Sequence, residues 1–165
     1  MFKWTVNWRF IGEGVFLSKS FSTSLLVVHV SLLYLFLARR WLRPSRFGLR
    51  AFIPRFIRGE LPTMALSDSF VVKTILTSLV IGLLCARSLH YQFFAYLSWA
   101  SPFLFWQAGF HPVVGYILWG VQEWAWNVFP STSKSSMVVV FCLAIQVAGV
   151  WLNGTDTFYD ERPGE

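Results

Sequence analysis

Long uncharged apolar runs alternate along this chain with short polar and charged clusters, and most of the runs approach the length of a membrane helix. Crossing a bilayer takes about 20 mostly apolar residues. Phe21 to Ala38 meets that need without a formal charge, and Arg39–Arg40 is expected to end it. Phe70 to Ala86 is shorter and holds Lys73 near its start, where a long side chain can snorkel to the headgroups. Tyr91 to Gln122 is uncharged apart from His111 and too long for one span. Gly109-Phe110-His111-Pro112 punctuates it, so the pattern predicts two helices. These are Phe93 to Gly109, and Val113 through Gln122 to about Val128. Ser135 to Leu152 is the last run. The expected fold is all-α: a polytopic helical membrane protein with about five transmembrane helices, at 21–38, 70–86, 93–109, 113–128 and 135–152.

Composition agrees. Apolar residues make up 55% of the 165 positions and charged residues 13%. A soluble domain carries about 25% charged residues, so this chain cannot cover a surface against water. The net charge of +6 does not point to nucleic acid, because seven of the fourteen basic residues crowd into Arg39, Arg40, Arg43, Arg46, Arg50, Arg55 and Arg58. That stretch directly follows an apolar run and suits a juxtamembrane segment beside anionic headgroups. Within it, Leu49, Phe52, Ile53 and Phe56 follow helical spacing with Arg46, Arg50 and Arg58 on a polar side. A short interfacial helix and an ordinary basic loop, interrupted by Pro54, both fit this pattern. Cys85 and Cys142 lie inside apolar runs without metal-site spacing and read as packing residues. No metal site or cofactor motif is expected.

Basic residues favour the cytosolic side of a membrane. With the 39–60 loop in the cytosol, that side carries eight basic residues outside the spans, counting Arg162, against five on the other. The reading is then a lumenal segment at 1–20, a transmembrane region at 21–154 and an acidic, solvated cytosolic tail at 155–165. The lumenal turns hold the polar residues that can carry chemistry: Phe2 to Phe10, Arg87 to Gln92, and Glu123 to Ser133. Ionisable groups at membrane depth are costly and often functional, although Trp, Tyr, Arg and His also serve as interfacial anchors. His29 is expected to hydrogen-bond in the interior and His111 to sit in a turn.

Three of these segments carry a resemblance. RSLHYQFF, Arg87 to Phe94, is similar to the RSLHYQF motif of the dolichol-phosphate-mannose-dependent alpha-1,3-mannosyltransferases that extend the lipid-linked N-glycan precursor. EWAWNVFPSTSKSS, Glu123 to Ser136, resembles that family's Trp-Asn-x-Tyr/Phe-Pro-Ser-Thr segment. FKWTVNWRF, Phe2 to Phe10, is a third match, in the same order. The resemblance implies a fragment of a GT-C-type membrane glycosyltransferase, its C-terminal part, in the multi-pass endoplasmic-reticulum membrane. It implies transfer of mannose from dolichyl phosphate mannose to Man5GlcNAc2-PP-dolichol, with inversion at the anomeric carbon. The family's catalytic base is expected in an early lumenal loop that this chain does not match, which would leave the chain inactive by itself. A non-catalytic membrane scaffold or subunit, or a small transporter, is the alternative class.

Inversion needs a base and a group that stabilises the departing phosphate, and cationic side chains can supply the latter. Arg87, His90 and Tyr91 are expected to hold that phosphate. Gln92 and Asn127 are expected to bond sugar hydroxyls, and Trp124 or Trp126 to stack on a sugar face. Glu123 has two open roles: the base, or a partner of Arg87, which is preferred because pairing lowers the cost of both charges.

Overall fold

The computed structural model describes residues 2–42, 49–60 and 66–153, and regular structure there is helical. A short α1 (Glu13–Leu17) leads into α2 (Lys19–Phe36), which continues through a wider π-type turn at Leu37–Trp41. Then come α3 (Leu49–Ile57), α4 (Asp68–Cys85), α5 (Phe94–Gln107), α6 (Pro112–Asn127) and α7 (Ser133–Asn153). Both α2 and α4 begin where a serine supplies a cap. Ser18 Oγ accepts the Phe21 N–H at 3.1 Å, and Ser67 Oγ accepts that of Phe70 at 3.3 Å. Each satisfies a donor that the first helical turn leaves unpaired.

The 91–128 run does divide at Gly109–Pro112. Gly109 takes φ +77°, with its N–H bonding Trp106 O at 3.0 Å and that of Phe110 bonding Phe105 O at 3.3 Å. That pair of bonds is the Schellman ending of a helix. His111 then caps α6, its Nδ1 accepting from the Val113 N–H at 3.4 Å, and Pro112 takes the first helical position. His111 thus occupies the expected turn. Among the described residues, three helices are long and apolar enough to cross a membrane: Lys19–Trp41, Asp68–Cys85 and Ser133–Asn153. At a rise of about 1.5 Å per residue, α5 and α6 reach only about 21 and 24 Å, against a hydrocarbon core of about 30 Å.

Short connections make α4, α5, α6 and α7 antiparallel neighbours. Leu76, Val80, Leu97, Leu104, Val139 and Leu143 form their common core. By contrast α2 buries only Leu25 and Phe36 and exposes Leu26, Val27, Val28 and Val30. His29 sits half-exposed on it, and the expected interior hydrogen bond is not formed with any described residue.

Between helices in lipid, apolar burial gains little, so close packing and polar contacts hold the bundle. Both occur here. A Cβ added at Gly149 would lie 2.5 Å from Ala108 Cβ, so α7 approaches the end of α5 only because that residue is glycine. Midway along the bundle, Gln146 Nε2 donates to Gln122 Oε1 at 2.6 Å and Gln122 Nε2 to Ser101 Oγ at 2.8 Å. All three residues are fully buried, and they clasp α5, α6 and α7. Cys85 and Cys142 are buried free thiols.

One expectation at the opposite end from Arg87 needs correction, that for Lys73. Arg39 and Arg40 lie in the last turn of the first long helix, which ends one residue later at Trp41, and Arg40 is drawn inward. Its guanidinium lies 5.3 Å from the Trp151 ring centroid and donates to the Trp151 carbonyl, an acceptor that the last turn of α7 leaves open. Lys73 does not snorkel outward. It is 7% exposed, because it shares a helical face with Leu76, Thr77 and Val80, which α4 turns into the core. It lines a cleft of about 340 Å³ with Trp106, Gln107 and Asn153. Arg43, Arg46 and the tail 155–165 lie outside the described residues.

Candidate functional site

The three motif segments meet at one end of the bundle. Residues 2–11 form two 3-10 turns, Phe2–Trp4 and Arg9–Ile11, and insert Thr5, Val6 and Asn7 with no exposure at all. There the chain pairs with the loop after α4. Val6 N–H donates to Leu89 O at 2.9 Å. The Leu89 N–H is accepted by Asn7 Oδ1 at 3.0 Å and by Thr5 Oγ1 at 3.3 Å. Asn7 Nδ2 donates to Ala86 O at 2.7 Å. One side-chain amide therefore satisfies backbone groups on both sides of Arg87 and Ser88, where α4 has ended and no helix supplies partners.

The third motif joins through Ser131 and Tyr91. Ser131 Oγ donates to Thr5 O at 2.6 Å, and Arg9 donates to the same Oγ at 3.2 Å. The Phe129–Pro130 peptide bond is cis. Tyr91 donates its hydroxyl to Val128 O at 3.2 Å, and Trp126 Nε1 donates to Tyr91 O at 3.2 Å. Segments about 80 and 40 residues apart in the sequence thus form one hydrogen-bonded unit at the bundle end.

Within this unit the expected site residues separate. Arg87 is half-buried, donating to Ser22 Oγ at 3.1 Å with its guanidinium 5.8 Å from the Phe16 ring centroid. The anticipated pair with Glu123 is not formed: Arg87 turns to the start of α2, while Glu123 is exposed on the last turn of α6. His90 and Gln92 are exposed. Asn127 is exposed and donates its amide to Glu123 O at 2.8 Å. Trp124 is 59% exposed, with a face available for stacking. Trp126 is 0% exposed, with its ring against Phe94, so it has no face for a sugar and is a structural residue. Tyr91 has committed its one donor to Val128 O.

Thr5, Asn7 and Ser131 are the residues that sequence reasoning did not single out, though all three lie inside the quoted motifs. A polar residue in an aromatic-rich segment next to a span was the available signal. Among the described residues, no three His, Cys, Asp or Glu side chains converge as metal ligands do.

This is a helical membrane protein whose polar chemistry is gathered at one end of its bundle. The chain belongs to the ALG3 protein family, which it matches over residues 1–136. It is 50% identical over 165 residues to the Neurospora crassa protein named Dol-P-Man:Man(5)GlcNAc(2)-PP-Dol alpha-1,3-mannosyltransferase, covering 94% of this chain and 37% of that protein. Proteins of the same name from Scheffersomyces stipitis and Homo sapiens are 40% and 35% identical, covering 93% and 92% of this chain and 34% and 35% of theirs. The chain therefore spans about a third of the length of the curated relatives it matches. No solved structure matches it.

Proposed function

We propose that this chain supplies part of a mannosyltransferase of the endoplasmic-reticulum membrane, one that moves mannose from dolichyl phosphate mannose to Man5GlcNAc2-PP-dolichol in alpha-1,3 linkage. The joining of all three motif segments into one unit at the bundle end is the observation that carries this reading. In this proposal α5 and α6 join the three longer helices to make five spans of a GT-C-type fold. The 1–20 segment and the Arg87 end face the lumen, and the 39–60 loop and the 155–165 tail face the cytosol.

At that end an acceptor hydroxyl oxygen attacks the anomeric carbon of the donor sugar. The bond from that carbon to the phosphate oxygen breaks, and dolichyl phosphate departs with the electron pair. Arg87 and His90 hold the phosphate and take up its growing charge through charge-assisted hydrogen bonds. Trp124 stacks on a sugar face, and Gln92 and Asn127 bond its hydroxyls. The acceptor's proton passes to a base, for which the exposed Glu123 carboxylate is the candidate on this chain.

The test is a chimera in which this chain replaces the matching portion of the Neurospora crassa relative, expressed in cells lacking their own enzyme. Conversion of Man5GlcNAc2-lipid to the Man6 form is expected. A chimera that reaches the membrane at normal levels yet converts none would overturn the proposal.

A further inference from the structure

We propose that α3 is an in-plane anchor that binds anionic phospholipid headgroups on the bilayer face where α2 ends. The helix has nine residues. Around its axis Leu49, Phe52, Ile53, Phe56 and Ile57 fall within an arc of about 140° at about 100° per residue, and Arg50, Arg55 and Arg58 occupy the other side. Most of the apolar arc is left uncovered by the described residues: Ile53 is 49%, Phe56 65% and Ile57 77% exposed, while Leu49 and Phe52 are part-buried. Among the described residues α3 makes no extensive packing contact with another element. Its end is nonetheless well defined. Glu60 N–H bonds Arg55 O at 2.9 Å and Gly59 N–H bonds Phe56 O at 3.1 Å, with Gly59 at φ +69°. This Schellman ending closes the helix by itself, with no extensive packing from another described element.

Tether length and charge together choose the occupant. Six residues separate Leu42 from α3, and five separate Glu60 from Leu66 just before α4. Fully extended, the longer tether reaches about 25 Å. That holds α3 close to the plane where two membrane-length helices end, Lys19–Trp41 and Asp68–Cys85. A helix there with an apolar arc and a cationic arc lies in the interface, its apolar side sunk into the acyl boundary and its arginines at the phosphates. Anionic headgroups complement Arg50, Arg55 and Arg58, together with Arg39 at the end of α2. The anchor is independent of the catalytic proposal and sits at the other end of the bundle from Arg87.

The experiment uses the full chain in nanodiscs, with single nitroxide labels at Ile53→Cys, Phe56→Cys, Arg50→Cys and Arg58→Cys. Cys85 and Cys142 are buried, so labelling favours the introduced thiols. Labels at 53 and 56 should collide with oxygen more than with a water-soluble nickel chelate, and labels at 50 and 58 the reverse. Separately, nanodiscs of mixed phosphatidylserine and phosphatidylcholine are read by native mass spectrometry. Retention of phosphatidylserine relative to phosphatidylcholine should fall about fivefold for each arginine changed to Gln. Labels at 53 and 56 shielded from both reagents would mean that protein covers the arc, and would overturn the anchor. So would water contact all round the helix, or lipid retention indifferent to the arginines.

Discussion

The side-chain oxygen of Asn7 lies 3.0 Å from the backbone nitrogen of Leu89, 82 residues further along the chain. The other half of the same amide reaches Ala86 O at 2.7 Å. Asn7 thereby holds the loop that carries Arg87 and His90, in place of the helical partners that α4 no longer provides. Removing the amide strands the Ala86 carbonyl, at about 1–3 kcal/mol, and takes from the Leu89 N–H the shorter of its two bonds, at about 0.5–1.5 kcal/mol, leaving it Thr5 Oγ1. Asn7→Ala is therefore expected to lower stability by about 2–4 kcal/mol in detergent unfolding. Asn7→Asp keeps an acceptor for Leu89 but loses the donor to Ala86 and places a carboxylate against a carbonyl, so it should not restore stability. Wild-type unfolding in Asn7→Ala would show that the loop is held by other contacts.

The Ser101–Gln122–Gln146 clasp makes a different prediction. Single substitutions Gln122→Leu and Gln146→Leu each leave a buried partner unpaired, at about 0.6–1.7 kcal/mol for an interhelical bond in a membrane protein. The double substitution removes both halves of the shared bond, so its cost should be smaller than the sum of the singles. A double-mutant cycle from unfolding in mixed micelles reads this coupling. Strict additivity would mean that the 2.6 Å contact carries no energy.

Helix positions were legible because the apolar runs and their punctuation were both in the sequence: Gly109, His111 and Pro112 ended one helix and began the next. The caps Ser18 and Ser67 were not singled out in the sequence, and they move two helix starts outward from Phe21 and Phe70. The inward course of Lys73 and Arg40 was not legible. Position 73 reads as a helix end by sequence distance, yet the face it shares with Leu76 and Thr77 decides its direction. At the candidate site, motif membership picked out segments that the fold brings together, but not which of their side chains are buried and which exposed. Trp124 and Trp126 are alike in sequence, and only the packing of α6 against Phe94 buries one and exposes the other. The same limit applies to Asn7, a polar residue among aromatics, whose partners lie about 80 residues away.

Asn153 supports a test of the proposed orientation. Asn153-Gly154-Thr155 is a glycosylation sequon, and Asn153 Nδ2 donates to Ala108 O at 2.7 Å, closing the end of α5. The acceptor nitrogen is thus engaged in a structural bond, on the face proposed to be cytosolic. Microsomal expression should show no glycan at this position. Asn153→Gln should leave the mass unchanged while loosening the α5 end by about 1 kcal/mol, the worth of one hydrogen bond. A glycosidase-sensitive mass shift that vanishes in Asn153→Gln would reverse the orientation and put the Arg87 end in the cytosol.

The division of roles at the site predicts a graded series in the chimera. A hydrogen bond to a charged group is worth about 1.5–3 kcal/mol, so Arg87→Ala should lower turnover about 10- to 150-fold. Arg87→Lys should lose less, since the charge survives while the planar fork of donors does not. His90→Ala should cost about tenfold through loss of one donor to the phosphate. His111→Ala should be nearly silent, because that side chain caps α6 beyond the α5 turn, at the opposite end of the bundle. Trp124→Ala should raise the acceptor or donor KM through loss of stacking, whereas Trp126→Ala should first reduce the folded yield, as expected of a fully buried ring. Each variant is compared at equal membrane levels, so that folding and chemistry are read separately. If His111→Ala proved as damaging as His90→Ala under those conditions, the donor phosphate would not lie at the Arg87 end, and the three joined motif segments would be a structural clasp instead.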